Sequence, residues 1–311
     1  MRPMGTEKPS FLSRLRFALK PGNPDFIAPV TKASHDLARC LPDEIGQEGD
    51  LVWIRTHDGL TFFNKPSPDY YWRVYRTLPR AVRSSVPFTH YLCALDRVIR
   101  FDGGGLMYGG PKKQRHYTVS PGDIVAEMGA YRGYYAVRLA REVGPEGVVI
   151  AIEPHPENVP ILRKNVQANT SGNVKIVQKG VWSKPGSGRF HIKPRDGQAG
   201  SLILDRQRPH VEVPLDTLDN ILAETAPGMD VDLMIIQLNG AEAHALRGMQ
   251  QHRPRHLAIA ARYSPDGVDV APECVAILQE RGYETELLEG GFIFGDLPGP
   301  APAKDHSSGS E

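Results

Sequence analysis

From residue 117 onward, short apolar runs alternate with segments whose apolar residues recur at helical spacing. Residues 123–128, 147–152, 174–177, 231–238 and 257–261 read as buried strands. Between them, 133–143, 156–169, 215–224, 241–249 and 270–281 read as helices, and 283–288 with 292–294 close the series. A small antiparallel excursion is expected around 189–193. Strands alternating with helices of about ten residues predict an α/β domain with a doubly wound, mostly parallel sheet covered on both faces.

The first third is patterned differently. Phe11, Leu12, Leu15, Ala18 and Leu19 share one face of a short amphipathic helix within a flexible segment, 1–24, which Pro21-Gly22-Asn23-Pro24 stops. Residues 51–56 and 60–64 are β-type runs around the turn His57-Asp58-Gly59. Tyr71, Val74, Tyr75 and Leu78 then fall at helical spacing. Arginines interleave with those aromatics, a pattern that can stack on bases, but the periodicity favours a buried helix face. Residues 25–116 are therefore expected to form an α+β cap region, 117–297 the main domain and 298–311 a disordered tail.

Composition narrows the partners. Lys+Arg total 37 and Asp+Glu 36, so a formal charge of +1 supplies no global field, and no nucleic-acid partner is expected. Three separated cysteines, Cys40, Cys93 and Cys274, give neither a disulfide framework nor metal-ligand spacing. No apolar run reaches the roughly 18 residues of a membrane helix, and no apolar leader follows Arg2 and Lys8. The expectation is a cytoplasmic protein with a small-molecule partner; homo-oligomerisation stays open.

The chemistry gathers where the first main strand ends, at Glu127-Met-Gly129-Ala-Tyr131-Arg-Gly133. Glycines there let the backbone turn and approach a ligand at the carboxyl end of the strands, where open α/β sheets bind. Glu153 ends the next strand, twenty residues after Gly133, placed to accept hydrogen bonds from ribose hydroxyls. A dinucleotide cofactor usually needs G-x-G-x-x-G, whereas this chain has G-x-x-x-G preceded by an acid. A carboxylate repels phosphate but suits the ammonium or sulfonium of S-adenosylmethionine.

These stretches, with Val148-Val-Ile-Ala-Ile-Glu-Pro-His-Pro-Glu-Asn158, Leu162, Asn165, Val213-Pro-Leu-Asp-Thr-Leu218 and Asp232-Leu-Met-Ile-Ile-Gln-Leu-Asn-Gly-Ala-Glu242, resemble the FkbM family of S-adenosylmethionine-dependent methyltransferases. The resemblance covers roughly residues 117–296. It implies a seven-stranded Rossmann-like methyltransferase sheet and O-methylation of a hydroxyl on a small molecule or sugar. It places Glu127, Gly129, Ala130, Tyr131, Gly133, Glu153, Pro154, Gly180 and Gln237 at the cofactor. The chain departs from the family where Glu127 stands for Asp and Tyr131 for Asn. Gln237 and Asn239 stand where two acids are usual, and Ala260-Ala261-Arg262 where another is. Amides keep hydrogen bonding but lose charge and proton acceptance.

Asn239 and Arg262 are then candidates to touch the acceptor, and Glu242 and His244 to take its proton. Glu242 reads equally as a helix N-terminal acid, and His244 reads rather as a helix-surface or packing residue. Amides at 237 and 239 also argue against a divalent metal site. An alternative is a catalytically impaired protein that binds S-adenosylmethionine or a partner; a nicotinamide-dependent oxidoreductase is disfavoured by the missing glycine pattern.

Overall fold

The computed structural model describes residues 41–66, 71–76, 78–102, 117–193, 196–203, 209–262 and 268–299. The helix expected within 1–24 and residues 300–311 of the expected tail lie outside those residues.

The chain opens with β1 (Glu44–Glu48), β2 (Leu51–Arg55) and β3 (Thr61–Asn64), an antiparallel sheet in that order. Helices α1 (Trp72–Tyr75), α2 (Arg80–Ser85) and α3 (Phe88–Asp96) follow, and a π-helical turn (Arg97–Asp102) continues α3. Tyr71, Tyr75 and Leu78 are buried, as the helical spacing predicts. β1 had no apolar signal because its residues, EIGQE, are almost all exposed.

Then come β4 (Ile124–Met128), α4 (Tyr134–Val143), β5 (Val148–Ile152), α5 (Asn158–Asn169), β6 (Val174–Val177), β7 (Gly180–Val181), β8 (Gly186–Lys193), β9 (Asp196–Ser201) and β10 (His210–Asp216). The chain continues through α6 (Leu218–Thr225), β11 (Leu233–Ile236), α7 (Glu242–Arg247), β12 (His256–Ala260), α8 (Ala271–Glu280), β13 (Glu284–Leu288) and β14 (Phe292–Asp296).

Seven strands form the main sheet in the order β13-β14-β12-β11-β4-β5-β6, with β14 antiparallel to both its neighbours. Central strands read as unbroken apolar runs because both faces are covered. Val125, Val149, Leu233 and Ile235 enter one core, while Ala126, Met128, Ile150, Met234 and Ile236 enter the other. Strand order reverses between β11 and β4, so a crevice opens beyond their carboxyl ends.

Two expectations are corrected. The excursion at 189–193 is part of a whole second sheet, ordered β7-β10-β8-β9. The helix expected over 215–224 starts later, because Leu215 and Asp216 complete β10 and pair with β7 and β8. Thr217 is the actual cap, its hydroxyl oxygen accepting from Asn220 N at 3.2 Å.

The first third packs directly on the main sheet. Ile54, Phe62, Tyr91, Leu92 and Leu95 share a core with Val125, Val137, Val149 and Leu162. Along the outer edge of β3, two asparagines one helical turn apart on α5 take the place of a partner strand. Asn165 accepts from Phe63 N (2.6 Å) and donates to Phe63 O (3.1 Å), and Asn169 does the same for Thr61 (2.9 and 2.8 Å). The match is geometric: two strand residues span about 6.7 Å and four helical residues about 6 Å.

Candidate functional site

A cleft of about 580 Å³, partly open to solvent, lies at the carboxyl ends of β4, β5 and β11. Its lining includes Gly129, Tyr131, Glu153, Pro154, Gly180, Gln237 and Asn239 among the residues singled out from the sequence.

Gly129 turns the chain out of β4 with φ 85°, and its N–H donates to Ile152 O at 2.9 Å. A Cβ there would collide with the carbonyl oxygen of Gln237, which is backbone and cannot give way. At Gly133 (φ 79°) the obstacle would be a methyl of Leu162. Between them Tyr131 holds a left-handed backbone, φ 54°, uncommon for a bulky residue. Its N–H donates to Glu153 Oε2 at 2.8 Å, which helps hold that turn.

Glu153 organises this end of the site. Oε1 accepts from His155 N (3.0 Å) and Asn158 Nδ2 (3.3 Å), so three donors from this chain converge on one carboxylate. Burial raises its pKa to about 7 against the pull of those hydrogen bonds. A carboxylate offers about four lone-pair sites, which leaves capacity for a ligand hydroxyl. Glu127, one strand away, is 2% exposed and receives no hydrogen bond at Oε2. Burial pushes its pKa up to about 8, with Arg100 opposing and Glu153 adding to the rise.

On the other side, the side-chain amide of Gln237 has no hydrogen-bond partner among the described residues. Asn239 adopts φ 50°, a conformation asparagine tolerates better than most residues. It ties β9 to this loop: Nδ2 donates to Gly200 O (2.8 Å), and its carbonyl accepts from Ser201 Oγ (2.9 Å). Phe190 on β8 and Leu202, just past β9, thereby reach the cleft wall.

Ala130, Gly133, Glu127, Glu242, His244 and Arg262 do not line the cleft. Ala130 is buried beneath the loop, its N–H donating to Ile152 O at 3.0 Å. Glu242 is fully buried, with Oε1 accepting from Leu238 N (2.8 Å) and Oε2 from Gly240 N (2.9 Å). Burial raises its pKa to about 7. Both oxygens thus serve the loop leading into α7. His244 stacks on Trp182, ring centroids 3.9 Å apart, and its pKa is lowered by burial and by Arg247. Arg262 lies over the Phe292 ring at 5.0 Å.

The structure adds residues that the sequence reading missed. Arg100, on the π-helical turn, reaches the cleft with its guanidinium carbon 4.4 Å from the centre of the Tyr131 ring. Nothing in the local pattern around Arg100 pointed to a site more than twenty residues downstream. Asn158 stands within the quoted Glu-Pro-His-Pro-Glu-Asn run, so a signal was present there. Among the described residues, no group of three or more His, Cys, Asp or Glu side chains is placed to hold a metal ion, and no helix is long and apolar enough to cross a membrane.

An arsenite methyltransferase of Halobacterium salinarum is 34% identical over 75 residues, covering 24% of this chain and 19% of that protein. The match thus spans about a fifth of the curated relative. Among solved structures, an FkbM methyltransferase from Methylobacillus flagellatus matches at 14% identity over 88% of this chain and 60% of that one, with TM-score 0.42. A SAM-dependent methyltransferase from Aquifex aeolicus matches at 18% identity over 65% and 90%, with TM-score 0.37. Likenesses at that level leave activity and substrate open. The model of the methyltransferase FkbM domain matches residues 127–285, more than half of the sequence, and the chain therefore belongs to the FkbM methyltransferase family.

Proposed function

We propose that this protein transfers a methyl group from S-adenosylmethionine to a hydroxyl of a small-molecule or sugar acceptor. The observation that carries the reading is one cleft in which a glycine turn, a ribose-competent carboxylate and the Gln237 amide converge.

The residues present fit the cofactor. Gly129 provides a cradle that a Cβ would fill, and Glu153 retains an acceptor site for a ribose hydroxyl. When bound, S-adenosylmethionine supplies a methyl group on a positively charged sulfur. Methyl transfer needs donor and acceptor held in line, so the protein's part is positioning, and the acceptor's hydroxyl proton leaves to solvent through the open side of the cleft. In this reading Glu153 fixes the ribose, while Gln237 donates to or accepts from the acceptor oxygen. Phe190 and Leu202 give the cleft an apolar wall.

The geometry supports Glu242 as the anchor of the 237–241 loop in place of a proton acceptor, and His244 as a packing residue against Trp182. A second reading, cofactor binding without turnover, is favoured by the amides at 237 and 239. Incubation of the purified protein with methyl-labelled S-adenosylmethionine and fractionated small-molecule extracts separates the two. Label entering a small-molecule fraction with base-stable ether linkage is expected. Cofactor binding by calorimetry with no transfer to any fraction would overturn the enzymatic reading.

A further inference from the structure

Two of the three donors that hold Glu153 are backbone groups, Tyr131 N–H and His155 N–H, and stay where the chain puts them. The third is a side chain, since Asn158 Nδ2 donates to Oε1 at 3.3 Å. An amide on a rotatable stem keeps its direction only if its carbonyl end is held as well. Arg132 Nε supplies that hold, donating to Asn158 Oδ1 at 3.2 Å. The same guanidinium donates through Nη1 to Asn64 Oδ1. Its donors lie in one rigid plane, so fixing Nη1 fixes the direction of Nε.

Asn64, the last residue of β3, is fully buried, and its amide is set from both ends. Oδ1 also accepts from Lys65 N at 2.9 Å, while Nδ2 donates to Asp96 Oδ2 (3.0 Å) and to the Tyr134 hydroxyl (3.2 Å). Exchanging its oxygen and nitrogen would set donor against donor at Arg132 and Lys65, so one orientation survives. The path Asn64–Arg132–Asn158–Glu153 runs through residues at most 6% exposed, where water cannot replace a lost partner. It starts on a strand that precedes the matched family domain and does not line the cleft, and it ends on a carboxylate that does.

We propose that Asn64 is a positioning residue for cofactor binding: through Arg132 and Asn158 it holds the Glu153 carboxylate in the direction a ribose hydroxyl requires. This rests on the cofactor reading above, and it gives the first third of the chain a part in recognising the nucleoside. Without the Asn64 amide the guanidinium turns, Asn158 turns with it, and Glu153 keeps only its two backbone donors. The loss falls on the ribose hydroxyls and spares contacts to the rest of the ligand.

Calorimetry with S-adenosylhomocysteine and its 2′,3′-dideoxy analogue isolates the ribose hydroxyls. The unaltered protein should prefer the hydroxylated ligand by more than about tenfold, and Asn64→Ala should cut that preference to about threefold or less. Affinity for the dideoxy analogue should barely change. Arg132→Lys keeps a cation but loses the rigid fork, so it should act alike, and it carries the test where Asn64→Ala does not fold. Asn169→Ala is the control, because it loosens the same β3–α5 seam at Thr61 but lies off the path. It should lower the melting temperature and leave the ligand preference at the parent value. A folded Asn64→Ala or Arg132→Lys variant with the parent preference, or an equal fall in Asn169→Ala, would overturn the proposal and leave the cofactor reading intact. An unaltered protein that binds both ligands equally would overturn the proposal together with the ribose role of Glu153. Binding of neither ligand would overturn the cofactor reading as well.

Discussion

Two glutamates with raised pKa values show how burial alone does not assign a role to a residue. Glu153 gathers three donors yet lines the cleft, whereas Glu242 gathers two backbone donors and does not. Glu153→Ala should weaken S-adenosylmethionine by more than about tenfold, because hydrogen bonds to a charged acceptor are each worth about 1.5–3 kcal/mol. Unchanged affinity in a folded variant would remove Glu153 from the ribose. Glu242→Ala leaves the N–H groups of Leu238 and Gly240 buried without partners, at about 2–4 kcal/mol. Urea melts should show that loss, and Glu242→Gln, which keeps one acceptor, should recover part of it while retaining methyl transfer per folded molecule. A variant as stable as the parent but unable to transfer methyl would restore the catalytic role.

At the scale of elements, the attachment of β3 to α5 decides how the first third meets the sheet. Asn165 satisfies both backbone groups of Phe63 and also donates to Arg132 O at 2.8 Å. Alanine there would leave Phe63 N–H and Arg132 O without this partner and Phe63 O with only the Tyr134 hydroxyl at 3.4 Å, and would expose an unpaired strand edge to the core. We expect Asn165→Ala to cost about 3 kcal/mol in chemical denaturation, of the order of several unsatisfied groups partly relaxed. Asn165→Asp keeps the acceptor for Phe63 N–H but loses both donors and adds a buried charge, so it should be no better. A cost below about 1 kcal/mol for both would mean that packing of Phe62 and Leu162, and not this edge, joins the elements.

For the molecule as a whole, the acids around the cleft set the pH dependence of stability. The pKa values of Glu127, Glu153 and Glu242 rise from 4.5 to about 8, 7 and 7, chiefly by burial. An acid that holds its proton more tightly folded than unfolded favours folding at low pH. That contribution is complete below about 4.5 and is lost as pH rises through 7 to 8. Asp58, Asp216 and Asp219 have pKa values lowered from 3.8 and act oppositely, failing only in stronger acid. The ligand-free protein should therefore melt at its highest temperature in mild acid and lose stability towards pH 8. A melting temperature that rises steadily from pH 5 to 8 would contradict this. Glu127→Gln should flatten the alkaline limb.

The main sheet and the glycine and glutamate end of the cleft were legible in the sequence. Parallel strands covered on both faces must be short unbroken apolar runs, and a chain turning sharply at their ends needs glycine at 129. Those signals are local, so Glu153 and Gly129 could be placed from spacing alone. Tertiary structure decided what local pattern does not encode. β1 is polar and exists because β2 pairs with it, and Leu215 joins a strand because β7 and β8 flank it. Arg100 enters the cleft from a turn far earlier in the chain. Glu242 and Asn239 carry chemically suggestive side chains, but the loop's own N–H groups and the β9 backbone claim them first. A buried backbone group must be satisfied wherever the chain folds, and which side chain meets that demand is settled only when distant segments come together.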